Sequence, residues 1–206
     1  MRWRSMSALL VGLVCGASAC KHTGDLRTRD DGYLALDNDG VPRGGVEYRC
    51  PSNNGEGQIR LTHANGKKRL EGECKGGVMV GRWKGFYENG ATAWKAAFEH
   101  GRLAGRFESS YANDKRRAEV DFAAGVPSGT LRAWWINGEL RAKGVVRGGK
   151  RVGCWETWHD NGQKASKGAY ADGKPVLTWL RWTRSGEKSK EKLGGEAPDG
   201  KCLITL

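Results

Sequence analysis

Residues 57–176 are five copies of one 24-residue unit laid end to end without a gap: GQIRLTHANGKKRLEGECKGGVMV, GRWKGFYENGATAWKAAFEHGRLA, GRFESSYANDKRRAEVDFAAGVPS, GTLRAWWINGELRAKGVVRGGKRV and GCWETWHDNGQKASKGAYADGKPV. A sixth copy opens at Leu177 as LTWLRWTRSGEKSKEK and decays after Lys192. A fixed period of this length means that each copy is one supersecondary unit, and that the copies stack on their neighbours to bury a shared core. Positions 1–24 below count from Gly57, Gly81, Gly105, Gly129, Gly153 and Leu177.

The unit reads as a β-hairpin. Positions 9 and 10 are Asn-Gly in four copies, Asn113-Asp114 in the third and Ser185-Gly186 in the last. Asn-Gly between alternating residues is the signal of a two-residue type I′ turn, in which both central residues take positive φ. A second glycine at position 21 (Gly77, Gly101, Gly125, Gly149, Gly173) closes the return to the next copy. The 32 glycines therefore mark turns and not disorder.

A two-residue turn at positions 9–10 places position 3 opposite position 16. The pairs are Ile59/Gly72, Trp83/Ala96, Phe107/Val120, Leu131/Gly144 and Trp155/Gly168, in which a large residue mostly meets a small one. The same face collects Tyr87, Tyr111 and Trp135 from first strands and Phe98, Phe122, Val146 and Tyr170 from second strands. The opposite face carries Arg82, Lys84, Arg106, Glu108, Arg132, Lys143 and Lys167. A slip of one residue would exchange the two faces in every copy. The predicted fold is all-β: an elongated, twisted antiparallel meander of hairpins, single-layered and coiled, with capping segments. Residues 33–56 read as a degenerate opening repeat or cap, 57–192 as the repeats, and 193–206 as a closing cap. The bare apolar face is expected to be buried by coiling, with homodimerisation as the alternative.

The pattern of Gly81-Arg82-Trp83, Phe86-Tyr87, Asn89-Gly90, Phe98 and Gly101 resembles MORN repeats, and within them the bacterial variant of antitoxin-like proteins. The likeness runs from Gly57 to about Lys192; Asp114 and Leu177 depart from it. It implies a non-enzymatic scaffold that binds a protein or membrane lipid.

Ahead of the array, Arg2 and Arg4, the apolar run 8–14 and Ala17-Ser18-Ala19-Cys20 form a targeting segment over residues 1–19. The last four residues resemble a bacterial lipobox, which implies acylation at Cys20 and an outer-membrane lipoprotein of a Gram-negative envelope. Secretory cleavage without a lipid fits the same residues. Residues 20–32 are polar and aperiodic, as in a tether. Asp37-Asn38-Asp39-Gly40 resembles the opening of a calcium loop, but lacks the remaining acidic ligands and reads as a turn.

Reactive chemistry finds no address in the sequence. His63 and His159 share position 7 but lie roughly 40 Å apart in a flat meander, too far to share a metal; they read as replacements for the tyrosine of other copies. Cys50, Cys74, Cys154 and Cys202 suit an oxidising compartment. Their expected pairing is Cys50–Cys74 and Cys154–Cys202, against a geometric objection: equivalent positions in adjacent hairpins are about 9.6 Å apart, so the caps must leave the regular pattern. All four staying reduced is the other outcome. No catalytic residue, cofactor or metal is expected.

The net charge of +12 favours an anionic partner, and export argues against nucleic acid. Position 6 holds Phe86, Trp134, Trp158 and Trp182 on the charged face, near Arg132, Arg141, Lys143, Lys164 and Arg181. These residues form a candidate binding ladder for a protein or an anionic envelope component; equally, each ring could only cover its cross-strand neighbour, Arg141 or Ala165. The functional expectation is a lipid-anchored, non-catalytic binding protein of the bacterial envelope. An antitoxin that neutralises a toxin by binding, or a cell-wall-modifying enzyme, are the alternatives.

Overall fold

The computed structural model describes residues 34, 36–51, 56–195 and 202; the targeting segment, Cys20 and the tether lie outside them. The first strands are β1 (Gly57–Thr62), β2 (Lys68–Lys75), β3 (Val78–Phe86), β4 (Thr92–Glu99), β5 (Arg102–Ser110) and β6 (Arg116–Ala123). They are followed by β7 (Val126–Pro127), β8 (Gly129–Trp134), β9 (Leu140–Arg147), β10 (Lys150–Trp158), β11 (Lys164–Ala171), β12 (Lys174–Trp182) and β13 (Lys188–Lys192). All join one open antiparallel sheet in chain order, β7 being a short extension against β6. No described residue is helical. The lysine-rich β13, Lys188-Ser-Lys-Glu-Lys192, closes one edge with charges that discourage further strand pairing.

Every expected position 3/16 pair is present: Ile59 opposes Gly72, Trp83 Ala96, Phe107 Val120, Leu131 Gly144 and Trp155 Gly168. The turn that produces them is not the expected one. Tyr87 N–H donates to Ala91 O, Gly90 N–H to Tyr87 O, and only Gly90 of the pair Asn89-Gly90 takes positive φ. The loop therefore has three residues, which shifts the pairing by one. An extra residue at position 13 on the return strand then shifts it back: Phe86 faces Thr92, Gly85 faces Trp94, and Ala93 bulges between them. The two-residue turns with both φ values positive lie at positions 20–21 instead, as at His100 (49°) and Gly101 (75°).

Asparagine serves a different purpose at position 9. The Oδ1 of Asn89 accepts from Ala91 N–H and its Nδ2 donates to Ala112 O in the next copy. Asn65, Asn113, Asn137 and Asn161 repeat both bonds. Position 7 also reaches 23 residues ahead: Tyr87 and Tyr111 hydroxyls donate to Ser110 O and Trp134 O, and Trp135 Nε1 donates to Trp158 O. His63 and His159 do the same, Nε2 lying 2.8 Å from Phe86 O and Trp182 O. A carbonyl only accepts, so both imidazoles carry the proton on Nε2. The histidines stand in for tyrosine by hydrogen bonding as well as by packing. In the sixth copy position 7 is Thr183, whose Oγ1 accepts from Glu187 N–H of its own turn.

The apolar face is covered over the first four copies by the chain itself. Residues 36–50 form a strap across it; Leu36 and Pro42 bridge antiparallel around one three-residue bend of the kind the repeats use, but no full hairpin is added to the sheet among the described residues. Cys50, Tyr48 and Gly45 N–H donate to the position-21 carbonyls Gly77 O, Gly101 O and Gly125 O, following the row of return turns. Leu34, Val41 and Tyr48 join the core of Trp83, Trp94, Phe98, Phe107, Phe122 and Trp155, and burial pushes the Tyr48 phenol up to about 12. Ser109 Oγ donates to Gly40 O beneath the strap at 2.7 Å. Asp37-Asn38-Asp39-Gly40 is the bend of this strap. Asp37 Oδ1 accepts two backbone N–H groups, while the Asp39 carboxylate is held by Arg141 at 2.6 Å and Arg151 at 2.8 Å.

Disulfides tie the strap and the closing segment to the array. Cys50 bonds Cys74, which stands at position 18, where Phe98, Phe122 and Tyr170 carry rings, with Cα atoms 6.0 Å apart. Cys154 bonds Cys202, at a Cα separation of 5.0 Å. The geometric objection does not apply, because Cys50 sits on the strap and Cys202 on the closing segment, not in adjacent hairpins.

Candidate binding surface

The face that the strap leaves bare is built around one row of charge. Positions 4 and 15 are partners within each hairpin and again across each junction, so Arg60, Glu71, Lys84, Lys95, Glu108, Glu119, Arg132, Lys143, Glu156 and Lys167 run as consecutive neighbours. Cations outnumber glutamates in this row, and three of the glutamates are tightly engaged. Glu119, nearly buried, is clamped by Arg106 at 2.6 Å and Arg132 at 2.7 Å. Burial alone would raise its pKa, but the hydrogen bonds from Arg132 and Arg106 outweigh that and hold it below the usual carboxylate value. Glu156 is lowered chiefly by its bond to Lys164 (2.8 Å), and Glu71 by its bond to Lys68 (2.9 Å). Lys95 and Lys143 remain exposed.

The aromatic residues of position 6 flank this row. Phe86, Trp134, Trp158 and Trp182 are all half-buried, and each carries a cation over its ring: Lys68, Arg116, Lys164 and Lys188 at 5.9, 5.9, 5.7 and 5.9 Å from the centroid. All four cations occupy position 12. A two-residue turn would have paired position 6 with 13; the three-residue loop instead brings position 12 of the same hairpin opposite, as Lys164 to Trp158 and Lys188 to Trp182. Phe86 and Trp134 face Thr92 and Leu140 in this way, and take their cations, Lys68 and Arg116, from position 12 of the preceding copy.

Of the cations expected in the ladder, Arg132 and Lys143 lie on the row beside Trp134. Arg141 and Arg181 do not. Arg141 is the bulge residue, and the bulge turns its side chain to the strap side, where it pairs with Asp39 and stacks on Trp135 at 5.4 Å. Arg181, at position 5, lies over the position-3 ring of Trp179 at 5.8 Å and pairs with Glu191. Among the described residues no group of three or more His, Cys, Asp or Glu is placed to hold a metal.

No model of a known protein family matches the chain, and no curated protein matches it in sequence.

Proposed function

We propose that this chain is a non-catalytic binding protein of the bacterial cell envelope, tethered by a lipid on Cys20, which presents its bare face to an anionic envelope component. One observation carries the reading: half-buried rings in a line, each with a cation over it, alongside a charged row in which lysine and arginine predominate. Such a surface gains from an anion both by charge and by contact with the rings. The resemblance of the repeats to MORN units supports it, as does the pattern of residues 8–20.

The test is co-sedimentation of the purified chain with phosphatidylglycerol vesicles and with phosphatidylcholine vesicles at low and physiological salt. Binding to the anionic vesicles should exceed binding to the neutral ones and weaken with salt. Changing Trp134, Trp158 and Trp182 together to Ala should reduce it without unfolding the sheet. Equal sedimentation with both vesicle types would reject the anionic partner. Membrane retention of a Cys20→Ala form equal to wild type would reject the anchor.

A further inference from the structure

Among the described residues, the strap does not cover the whole of its face. Its described contacts end at Asp39 on Arg141 and Arg151, and beyond them, over the fifth and sixth copies, an open cavity of about 150 Å3 remains. The aromatic floor continues there: Tyr170 packs edge-on against Trp155 at 5.9 Å and Trp179 at 5.1 Å. What changes is the lining around it. Positions 5 and 14 are Leu61/Leu70, Gly85/Trp94, Ser109/Ala118 and Ala133/Ala142 where the face is closed, the Ser109 hydroxyl donating to Gly40 O of the strap. They are Thr157/Ser166 at the cavity, with Arg181 at position 5 of the last copy. Position 23 is Met79, Leu103 and Pro127 in the first three copies and becomes Arg151 at the cavity. Apolar or strap-bonded lining thus gives way to a hydroxyl pair and guanidinium groups beyond the last described contact of the strap.

From this arrangement we infer that the cavity is a ligand site for a six-membered ring bearing a carboxylate, such as an acidic sugar residue. The volume matches one ring, since a cavity of about 150 Å3 accommodates benzene. The floor supplies apolar contact. Arg151, 4.4 Å over Trp155 and 3.3 Å from Tyr170 Oη, and Arg181 stand on its walls. Asp39 engages Arg151 Nη2, and Glu191 engages Arg181 Nε and Nη2, so a ligand carboxylate would share these guanidinium groups through their remaining N–H groups. A guanidinium presents a planar fork of donors matched to a carboxylate. Thr157 Oγ1 and Ser166 Oγ, 2.6 Å apart, offer hydroxyl groups to the rest of the ring. The site lies on the opposite face from the surface proposed above and does not rest on that reading.

The experiment titrates the purified full chain with glucuronate, benzoate and glucose, followed by calorimetry and by tryptophan emission, because Trp155 and Trp179 line the cavity. Saturable binding of either carboxylate, with glucose much weaker, is the expected result; glucuronate over benzoate assigns a sugar, the reverse an aromatic acid. Arg181→Gln should weaken the bound carboxylate roughly tenfold or more, whereas Arg82→Gln on the other face should leave it unchanged. Ser166→Leu fills the cavity with the residue that the first copy carries at this position, Leu70, and should abolish binding while the protein stays folded. No saturable binding of either carboxylate, glucose binding as tightly, or an unaltered affinity in Arg181→Gln would overturn the assignment. Should Ser166→Leu not fold, Arg181→Gln decides alone.

Discussion

Gly144 lies against the indole of Trp155, so closely that a methyl group on its Cα would come within 2.1 Å of Trp155 Cδ2. Gly72 meets Trp83 and Gly168 meets Trp179 in the same way, at 2.0 and 2.1 Å. Position 16 therefore fits position 3 of the following copy, and the sizes match along the array: Gly before Trp three times, Ala96 before Phe107, Val120 before Leu131. The junction between copies is a lock of complementary volumes. Gly144→Ala should cost about 2–3 kcal/mol, the range of a forced overpacking, measured by urea unfolding. Adding Trp155→Phe to it should recover part of the loss, because Ala with Phe is a combination the protein already uses. Strict additivity of the two changes would remove size matching as the cause.

That lock shows how far the sequence could be read. The period, the hairpins and the two faces were legible because they rest on alternation and turn residues, which are local. The volume match was visible in the same letters, but looking for it requires knowing that position 16 abuts the next copy as well as its own hairpin. Asn89-Gly90 misled by its resemblance to a type I′ pair, and the register survived only because the loop and the bulge at Ala93 offset each other. The strap was illegible: Gly45, Tyr48 and Cys50 dock through backbone donors on Gly125, Gly101 and Gly77 carbonyls, and backbone bonds leave no trace in side-chain pattern. Arg141 was misplaced for the same reason as the turn, since the bulge that reorients it follows from the loop.

Ala124 is exposed at the first position of a return turn, with φ of 49°. A Cβ in this left-handed region costs about 1–2 kcal/mol, of which glycine's greater freedom in the unfolded chain returns some 0.5–1. Ala124→Gly should therefore stabilise the protein by about 0.5–1 kcal/mol, seen as a higher midpoint in thermal or urea melts. The first and fourth copies already have glycine there, at Gly76 and Gly148. An unchanged or lower midpoint would mean that the strain is absent.

At position 7, the bond from His159 Nε2 to Trp182 O joins the fifth copy to the sixth. His159→Phe keeps a ring but loses the donor, leaving a half-buried carbonyl unpaired at a cost of about 1 kcal/mol. His159→Tyr should restore stability, as Tyr87 and Tyr111 make the equivalent bond. Equal stability of the Phe and Tyr forms would show the bond to be idle.

Acid should loosen the bare face. Glu71, Glu119 and Glu156 are each held below the ordinary value of 4.5 in the folded chain. A depressed folded pKa means that their contribution is complete above the unfolded value and is lost as pH falls through the folded ones. Stability should thus hold from neutral pH down to about 4.5 and decline below it, as followed by urea melts across that range. Glu119→Gln leaves Arg106 and Arg132 without their shared carboxylate. It should lower stability at neutral pH and flatten the acid decline, whereas a decline as steep as wild type would assign the acid sensitivity elsewhere.

The Cys50–Cys74 bond closes a loop spanning 24 residues in sequence, for which chain entropy predicts about 3.5 kcal/mol of stabilisation. The effect should be concentrated in one place. Cys74 is buried under the strap, and the strap's remaining attachments near that end are the edge-on packing of Tyr48 against Phe98 at 5.3 Å and backbone bonds: Cys50 N–H to Gly77 O, Tyr48 N–H to Gly101 O, and Met79 N–H to Tyr48 O. With Cys50→Ser and Cys74→Ser combined, amide exchange should accelerate at Tyr48 and Met79 well before it does in the interior of β9 or β11, because the strap can lift while the hairpins stay paired. The Asp39 ion pairs with Arg141 and Arg151 should still hold the strap's other end at neutral pH. Exchange that accelerates uniformly over the whole array would mean instead that strap and sheet unfold as one unit.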